Sequence, residues 1–431
     1  METASGAVSR LQANDQKDSQ SEGRHDLAGR DFAKILLIKL SAVGDVVHAI
    51  PLLNKLRQRY PQARIDWLAT PAVAELLANN PAISNVIEFV RDEWSKPWQL
   101  APYASAARLI AQLRAVRYDL VLDLQGQLRS GVFAFGCGAP MRIGFDRPRA
   151  SRWQALQRKI PDEARRHAWQ GAREGSFLAY THHVDLPTLD IHPVDRYLRF
   201  GALLGLDTKS ADFTFPIPAE ATNRIDALLD YYEIAKSPLV VMAPGTNWQT
   251  KQWRSDAFAD VARHFLGKKF AVTLIGSGGE HELCAEVAKL APGAINLAGE
   301  TTLTELAALI RRGTICVSND SGPMHMAVAL DRPVIAVFGP TDPVWAGPYR
   351  RDNAVLRADL ACSPCYLRLL ARCPNNHDCM KNVSVSAVIE RAEKIIAALP
   401  PSRPKAALKP APKPAPGPAP KPAPKPAPGR S

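Results

Sequence analysis

The chain has 431 residues, 46% hydrophobic content and a formal net charge of +12, which is room for two ordinary domains plus tails. No apolar run approaches the ~20 residues that cross a bilayer as a helix. No helix-turn-helix, RNA-binding aromatic motif or zinc-finger spacing accompanies the charge, so nucleic acid is not the expected partner.

The first 31 residues are polar and lack the apolar core of a signal peptide, so residues 1–31 are expected to be a disordered leader on a cytoplasmic protein. Residues 34–40 (KILLIKL) read as a strand, ended by Ser41-Ala42-Val43-Gly44-Asp45. Residues 46–60 then show helical spacing at Val46, Ile50, Leu53 and Leu56, with Pro61 just past the end. Residues 64–69, 86–90 and 118–124 read as strands and 104–116 as an amphipathic helix. Alternating strands and helices predict a parallel sheet covered on both faces.

Residues 142–198 are less regular and dense in Arg, His and aromatic side chains, which predicts functional loops and irregular helices. Residues 205–218 read as a linker, after which the alternation restarts with strands at 239–242, 270–275, 315–317 and 334–338 and a closing helix at 385–398. The expected division is therefore 32–205 and 206–399, followed by a Pro-Ala-Lys tail over 400–431 that favours polyproline II. That tail carries seven basic residues (Arg403, Lys405, Lys409, Lys413, Lys421, Lys425 and Arg430) and no acid, leaving about +5 elsewhere. Such a mild excess suits an anionic substrate or membrane surface.

Four segments bear on chemistry. In residues 317–343 a β-branched strand runs into Ser318-Asn319-Asp320-Ser321-Gly322-Pro323. Asp320 or Ser321 is the expected helix cap, Gly322 admits a ligand to the backbone, and Pro323 suits a first helical turn. The free N–H groups of that turn favour an anion, and His325 lies in the same turn. Residues 41–48 follow the first strand at the edge where open α/β sheets bind ligands. They contain neither Gly-x-Gly-x-x-Gly nor a Walker Lys, so a dinucleotide or ATP cradle is not indicated. Asp45 there is either an N-cap or a site carboxylate, and His48 one turn on either orients the site or packs. Residues 243–254 form a Gly-containing loop with Thr246, Asn247 and Lys251, fit for a phosphate. Residues 275–282 form a Gly-rich turn ending in Glu280 and Glu282. Of seven cysteines, Cys137, Cys284 and Cys316 read as buried thiols, whereas Cys362, Cys365, Cys373 and Cys379 cluster in a loop as free thiols or a structural zinc site.

Asp320-Ser321-Gly322-Pro323-x-His325, followed by an apolar strand and Phe338-Gly339-Pro340-Thr341-Asp342-Pro343, resembles the signature of the family 9 glycosyltransferases. These are the bacterial ADP-heptose:lipopolysaccharide heptosyltransferases and their relatives. Gly44-Asp45-Val46 with Pro51, and Lys251-Gln252-Trp253, match the family's pattern in order. The resemblance implies a GT-B arrangement of two Rossmann-like doubly wound domains facing a central cleft. It implies Asp45 as general base, and Thr246, Asn247, Lys251, Glu282, Asp320, Ser321, Gly322 and His325 on an ADP-sugar donor. Asn247 stands where relatives have Thr, and Glu280 is an alternative to Glu282.

Residues 123–130, 142–147 and 173–175 resemble the heptosyltransferase I branch of the family. That resemblance points to Arg129, Arg147 and Arg173 as forks for an anionic, lipid-linked saccharide of the Kdo-lipid A type. The implied enzyme inverts the anomeric carbon, needs no cofactor or metal (no Asp-x-Asp occurs), and works as a monomer at the cytoplasmic face of the inner membrane. Another nucleotide sugar as donor stays open, as do a nucleotide-sugar epimerase on the same fold and a membrane scaffold whose tail is the working part.

Overall fold

Apolar strands too short to cap themselves must be covered on both faces, and the computed structural model shows how this chain does so. It describes residues 27–90, 101–147, 171–186 and 191–400; most of the expected leader, the tail beyond 400 and part of the Arg-rich segment lie outside these residues. The first unit runs β1 (Lys34–Ile38), α1 (Val43–Arg59), β2 (Arg64–Ala69), α2 (Pro71–Ala78), β3 (Asn85–Glu88), α3 (Ala101–Val116), β4 (Leu120–Asp123), α4 (Leu128–Gly136), β5 (Met141–Phe145), β6 (His182–Val184) and α5 (Pro193–Ala202). Its strands pair in parallel in the order β3-β2-β1-β4-β5-β6.

Residues 206–218 carry no helix or strand and lead into the second unit. This comprises α6 (Ala219–Tyr231), β7 (Leu239–Ala243), α7 (Ser255–Gly267), β8 (Ala271–Leu274), α8 (His281–Leu290), β9 (Ile295–Asn296), α9 (Leu303–Arg312), β10 (Ile315–Asn319), α10 (Gly322–Ala329), β11 (Val334–Phe338), β12 (Val355–Arg357) and α11 (Val385–Ala397). The second sheet is also wholly parallel, in the order β12-β11-β10-β7-β8-β9. Counted within each unit, both sheets have the doubly wound order 3-2-1-4-5-6. Every residue of β7, β10 and β11 is buried, as central parallel strands require.

The expected irregular stretch 142–198 is corrected here, because it supplies β5, β6 and α5. Arg142 and Gly144 interrupt the apolar run of β5, and β6 is only three residues long, so neither shows a legible period.

The two units pack directly. One apolar cluster extends from Val46, Ile50 and Leu53 of α1 to Met324, Ala327 and Val328 of α10. Glu75 of α2 reaches across to the start of α9, accepting from Thr304 Oγ1 at 2.6 Å and from the Leu303 and Thr304 N–H groups at 3.3 Å. Burial alone would raise the pKa of this carboxyl, but those hydrogen bonds prevail and lower it.

At the end of β10, Asn319 is fully buried and bridges two backbone groups of the neighbouring segment. Its Oδ1 accepts the Trp253 N–H at 3.1 Å, and its Nδ2 donates to the Pro244 carbonyl at 2.7 Å. Asn319→Ala leaves both groups buried and unpaired, so we expect a loss of about 2–4 kcal/mol in equilibrium guanidinium unfolding.

Candidate active site

In a doubly wound sheet the order reverses between the first and fourth strands, and ligands bind beyond their carboxyl ends. Here those points are β1/β4 and β7/β10. The loops after all four strands line one cleft of about 910 Å³ between the units. The cleft walls include Asp45, Gln125, Thr246, Asn247, Lys251, Asp320, Ser321, Gly322 and His325. The two halves almost touch: a Cβ on Gly322, at the start of α10, would lie 3.4 Å from Val43 Cβ, at the start of α1. Two helix amino-termini therefore converge, each with unpaired N–H groups and partial positive charge.

Asp45 is in the first turn of α1, and its side chain keeps 40% exposure. Its Oδ2 accepts from the Ala42 N–H at 3.4 Å and faces Lys39 Nζ at 3.4 Å. A capping contact and a place in the cleft thus coexist. Burial alone would push this carboxyl up, but the charges of Lys39 and Arg196, with the hydrogen bonds from Lys39 and the Ala42 N–H, outweigh it and hold it below the ordinary carboxylate range. Lys39, buried at the end of β1, is in turn kept charged: burial opposes its ammonium, while Asp45 and Tyr197 raise its pKa.

The other cleft acids are engaged. Asp320 Oδ2 pairs with Lys251 Nζ at 2.7 Å and accepts from Thr341 Oγ1 at 2.6 Å. Neither Asp320 nor Ser321 caps α10 through its side chain, contrary to the sequence expectation. Asp320 turns to Lys251, and Ser321 Oγ bonds Ser318 Oγ at 2.9 Å. Glu280 Oε2 accepts from the Ser277 N–H at 2.7 Å and Oγ at 2.9 Å, and Glu75 is spent on α9. Gly245 permits this packing, since a Cβ there would lie 2.0 Å from Glu280 Oε1. Lys251 closes a short 3-10 turn over Gln249–Lys251 and stands 4.3 Å from the Trp248 ring centre, with the Arg368 guanidinium 4.7 Å from the same ring.

Three histidines meet at the unit boundary. His48 Nε2 lies 2.9 Å from His325 Nδ1, and the His48 and His192 rings are 5.0 Å apart. Burial lowers all three pKa values: His48 well below the ordinary range, His192 to about 3 and His325 to about 4. They are neutral at physiological pH.

Of the residues named from sequence, Asp45, Thr246, Asn247, Lys251, Asp320, Ser321, Gly322, His325 and Arg173 share the cleft. Three do not line it. Glu282 is exposed on α8, and Glu280, earlier by two positions in the 3-10 turn before that helix, takes the cleft position instead. Arg129 lies over the Phe89 ring at 5.8 Å and Arg147 over Phe177 at 5.9 Å. Sequence reasoning missed Lys39, Arg196, Glu75 and Arg368, which also line the cleft. For Lys39 a signal existed, a cation set between Ile38 and Leu40 at the carboxyl end of an apolar strand. The cysteines of the 362–379 segment are free thiols, and among the described residues no group of three or more His, Cys, Asp or Glu is placed to hold a metal ion.

Comparison with known proteins identifies the family and the fold. The sequence profile of glycosyltransferase family 9 (heptosyltransferase) matches residues 106–174 and 163–371. Lipopolysaccharide heptosyltransferase 1 of Pseudomonas aeruginosa is 29% identical over 358 residues, covering 80% of this chain and 89% of that protein. Two solved structures share the fold. The glycosyl transferase family 9 protein of Veillonella parvula superposes with a TM-score of 0.69 at 21% identity, over 85% of this chain and 98% of its own. An Escherichia coli heptosyltransferase, WaaC, solved with ADP, superposes with a TM-score of 0.63 at 23% identity, over 84% and 99%. Two like-ordered parallel sheets, a cleft at both switch points and a matching profile across it together show that this chain belongs to glycosyltransferase family 9.

Proposed function

We propose that the protein transfers a heptose from an ADP-activated donor to the inner core of lipopolysaccharide. The observation that carries this is the split of the cleft: a half-exposed carboxylate, Asp45, on one unit faces Lys251 and the start of α10 on the other. The heptosyltransferase names of the relatives support the donor sugar and acceptor.

In this mechanism Asp45 takes the acceptor hydroxyl proton as the hydroxyl oxygen attacks the anomeric carbon. The new C–O bond forms while the bond from the anomeric carbon to the diphosphate oxygen breaks, and ADP leaves with that electron pair. A single in-line displacement inverts the anomeric carbon. Lys251 and the N–H groups near Ser321 and Gly322 meet the departing charge without a divalent ion, aided by Thr246 and Asn247. Asp320 contacts the sugar while holding Lys251 in place, and Glu280 rather than Glu282 is the acid for the ribose. Arg173 serves acidic groups of the acceptor inside the cleft.

The lipid part of the acceptor leads to the inner membrane surface. Leu128, Val132 and Phe135 share one exposed face of α4, and Leu178 is exposed on the 3-10 turn packed against it. The Arg142 guanidinium over Phe135, at 5.6 Å, and Arg147 over Phe177 bring cations to the rim. Apolar side chains within a cationic rim suit the interface of an anionic bilayer. Among the described residues no helix is long and apolar enough to cross a membrane.

Asp45→Ala is expected to lower kcat by at least about 10²-fold with ADP-sugar affinity retained in calorimetry. Lys39→Met removes a cation that favours the carboxylate, so the acidic limb of the kcat/KM profile should move to higher pH. An unmoved limb would separate Asp45 from the base role. Lys251→Ala should raise the donor KM about 10–100-fold, the size of a lost charged hydrogen bond, with the acceptor KM little changed. In sedimentation with vesicles, the double change Val132→Glu and Phe135→Glu should release the protein from phosphatidylglycerol-containing membranes. Binding as strong as that of the unaltered protein would remove α4 as the contact.

A further inference from the structure

His48 is buried on α1 and bonds His325 on α10, so this hydrogen bond spans the two units. One of the two facing nitrogens must carry the proton and the other accept it. The surroundings decide which. His192 cannot help: its Nδ1 accepts the Val194 N–H at 3.2 Å, so its Nε2 carries hydrogen and donates to the Gly347 carbonyl at 3.0 Å. His48 Nδ1 is buried and finds no hydrogen-bond partner among the described residues. Were the His48 proton on Nδ1, a buried N–H would be orphaned, whereas a bare Nδ1 leaves only an unmet acceptor. Orphaned buried donors are much the rarer case. The His48 proton therefore sits on Nε2 and is donated to His325 Nδ1.

That choice propagates. With Nδ1 accepting, neutral His325 must carry its proton on Nε2. The Nε2 edge lies against Gly44, where a Cβ would be 3.3 Å from Nε2 and 2.5 Å from Cδ2, and His325 lines the cleft.

We propose that His48 is a positioning residue that locks His325 in its Nε2–H form, so that the cleft meets the donor diphosphate with an N–H rather than a lone pair. The opposite tautomer would aim a lone pair at an anion. Because the two rings belong to different units, the lock holds only while the faces of α1 and α10 are in contact. Closure of the cleft and readiness of the diphosphate site are then one event. The role assigned to the N–H rests on the donor-site reading above; the tautomer itself does not.

The test is long-range 1H–15N correlation of the histidine rings in the full-length protein, beside ADP titration calorimetry and donor kinetics. Unaltered protein should show His325 protonated at Nε2. His48→Leu should convert His325 to a tautomer mixture, weaken ADP binding and lower kcat/KM for the ADP-sugar about 10-fold, the lower end of what losing a histidine-orienting partner costs. His48→Gln sets an amide N–H near the former Nε2 and should recover most of that loss with the Nε2–H signal restored. An Nδ1–H His325 in unaltered protein overturns the proposal even if His48→Leu does not fold. So does an unchanged tautomer in His48→Leu, or equal impairment of the Leu and Gln variants at equal thermal stability. If unaltered protein shows the Nε2–H form but no affinity for ADP, the donor-site reading fails while the tautomer lock stands.

Discussion

Gly44 and Gly322 set the separation on which the cleft depends. Both sit at helix amino-termini, and a side chain on Gly44 would collide with His325 at 2.5 Å. Without that approach α1 and α10 would stand apart, the His48–His325 bond would be lost, and the carboxylate on one unit would no longer face the lysine on the other. Two helix ends of like partial charge do not attract each other. What holds them is the apolar packing of α1 on α10 beneath, with Glu75 on α9 beside it.

Electrostatics around the cleft follow a division of labour. Most acids there are committed: Asp320 to Lys251 and Thr341, Glu280 to Ser277, and Glu75 to the start of α9. Asp45 is tied less tightly, through one oxygen and at longer distances. The charges of Lys39 and Arg196 hold its pKa down and keep it ionised. Neutral histidines between the units add hydrogen-bonding capacity without net charge, so they neither repel the cations of the cleft nor compete with them.

How much of this was legible varied with the physics behind each signal. The segment 317–343 read clearly, because a β-branched strand, a Gly-Pro helix start and a second apolar strand are each dictated by local backbone preference. The caps expected from Asp320 and Ser321 did not form, since a lysine remote in sequence competes for Asp320 and only the fold brings it there. The strands β5 and β6 were invisible because their burial comes from neighbouring strands rather than from their own alternation. Glu280 and Glu282 are indistinguishable by composition. A 3-10 turn just ahead of α8 points one inward and leaves the other in solvent. Arg129 and Arg147 were grouped with Arg173 by charge and by family resemblance, yet their guanidinium groups settle on aromatic rings outside the cleft.

The identical strand order of the two sheets makes Asp45 and Lys251 structural counterparts. Each lies in the segment after the first strand of its own unit, and those segments face each other. The fold thus lines one cleft with the segment after the first strand twice, placing a carboxylate in the first turn of α1 on one side and an ammonium in the 3-10 turn ahead of α7 on the other. Opposite charges on these two segments mean that neither unit is a spare for the other.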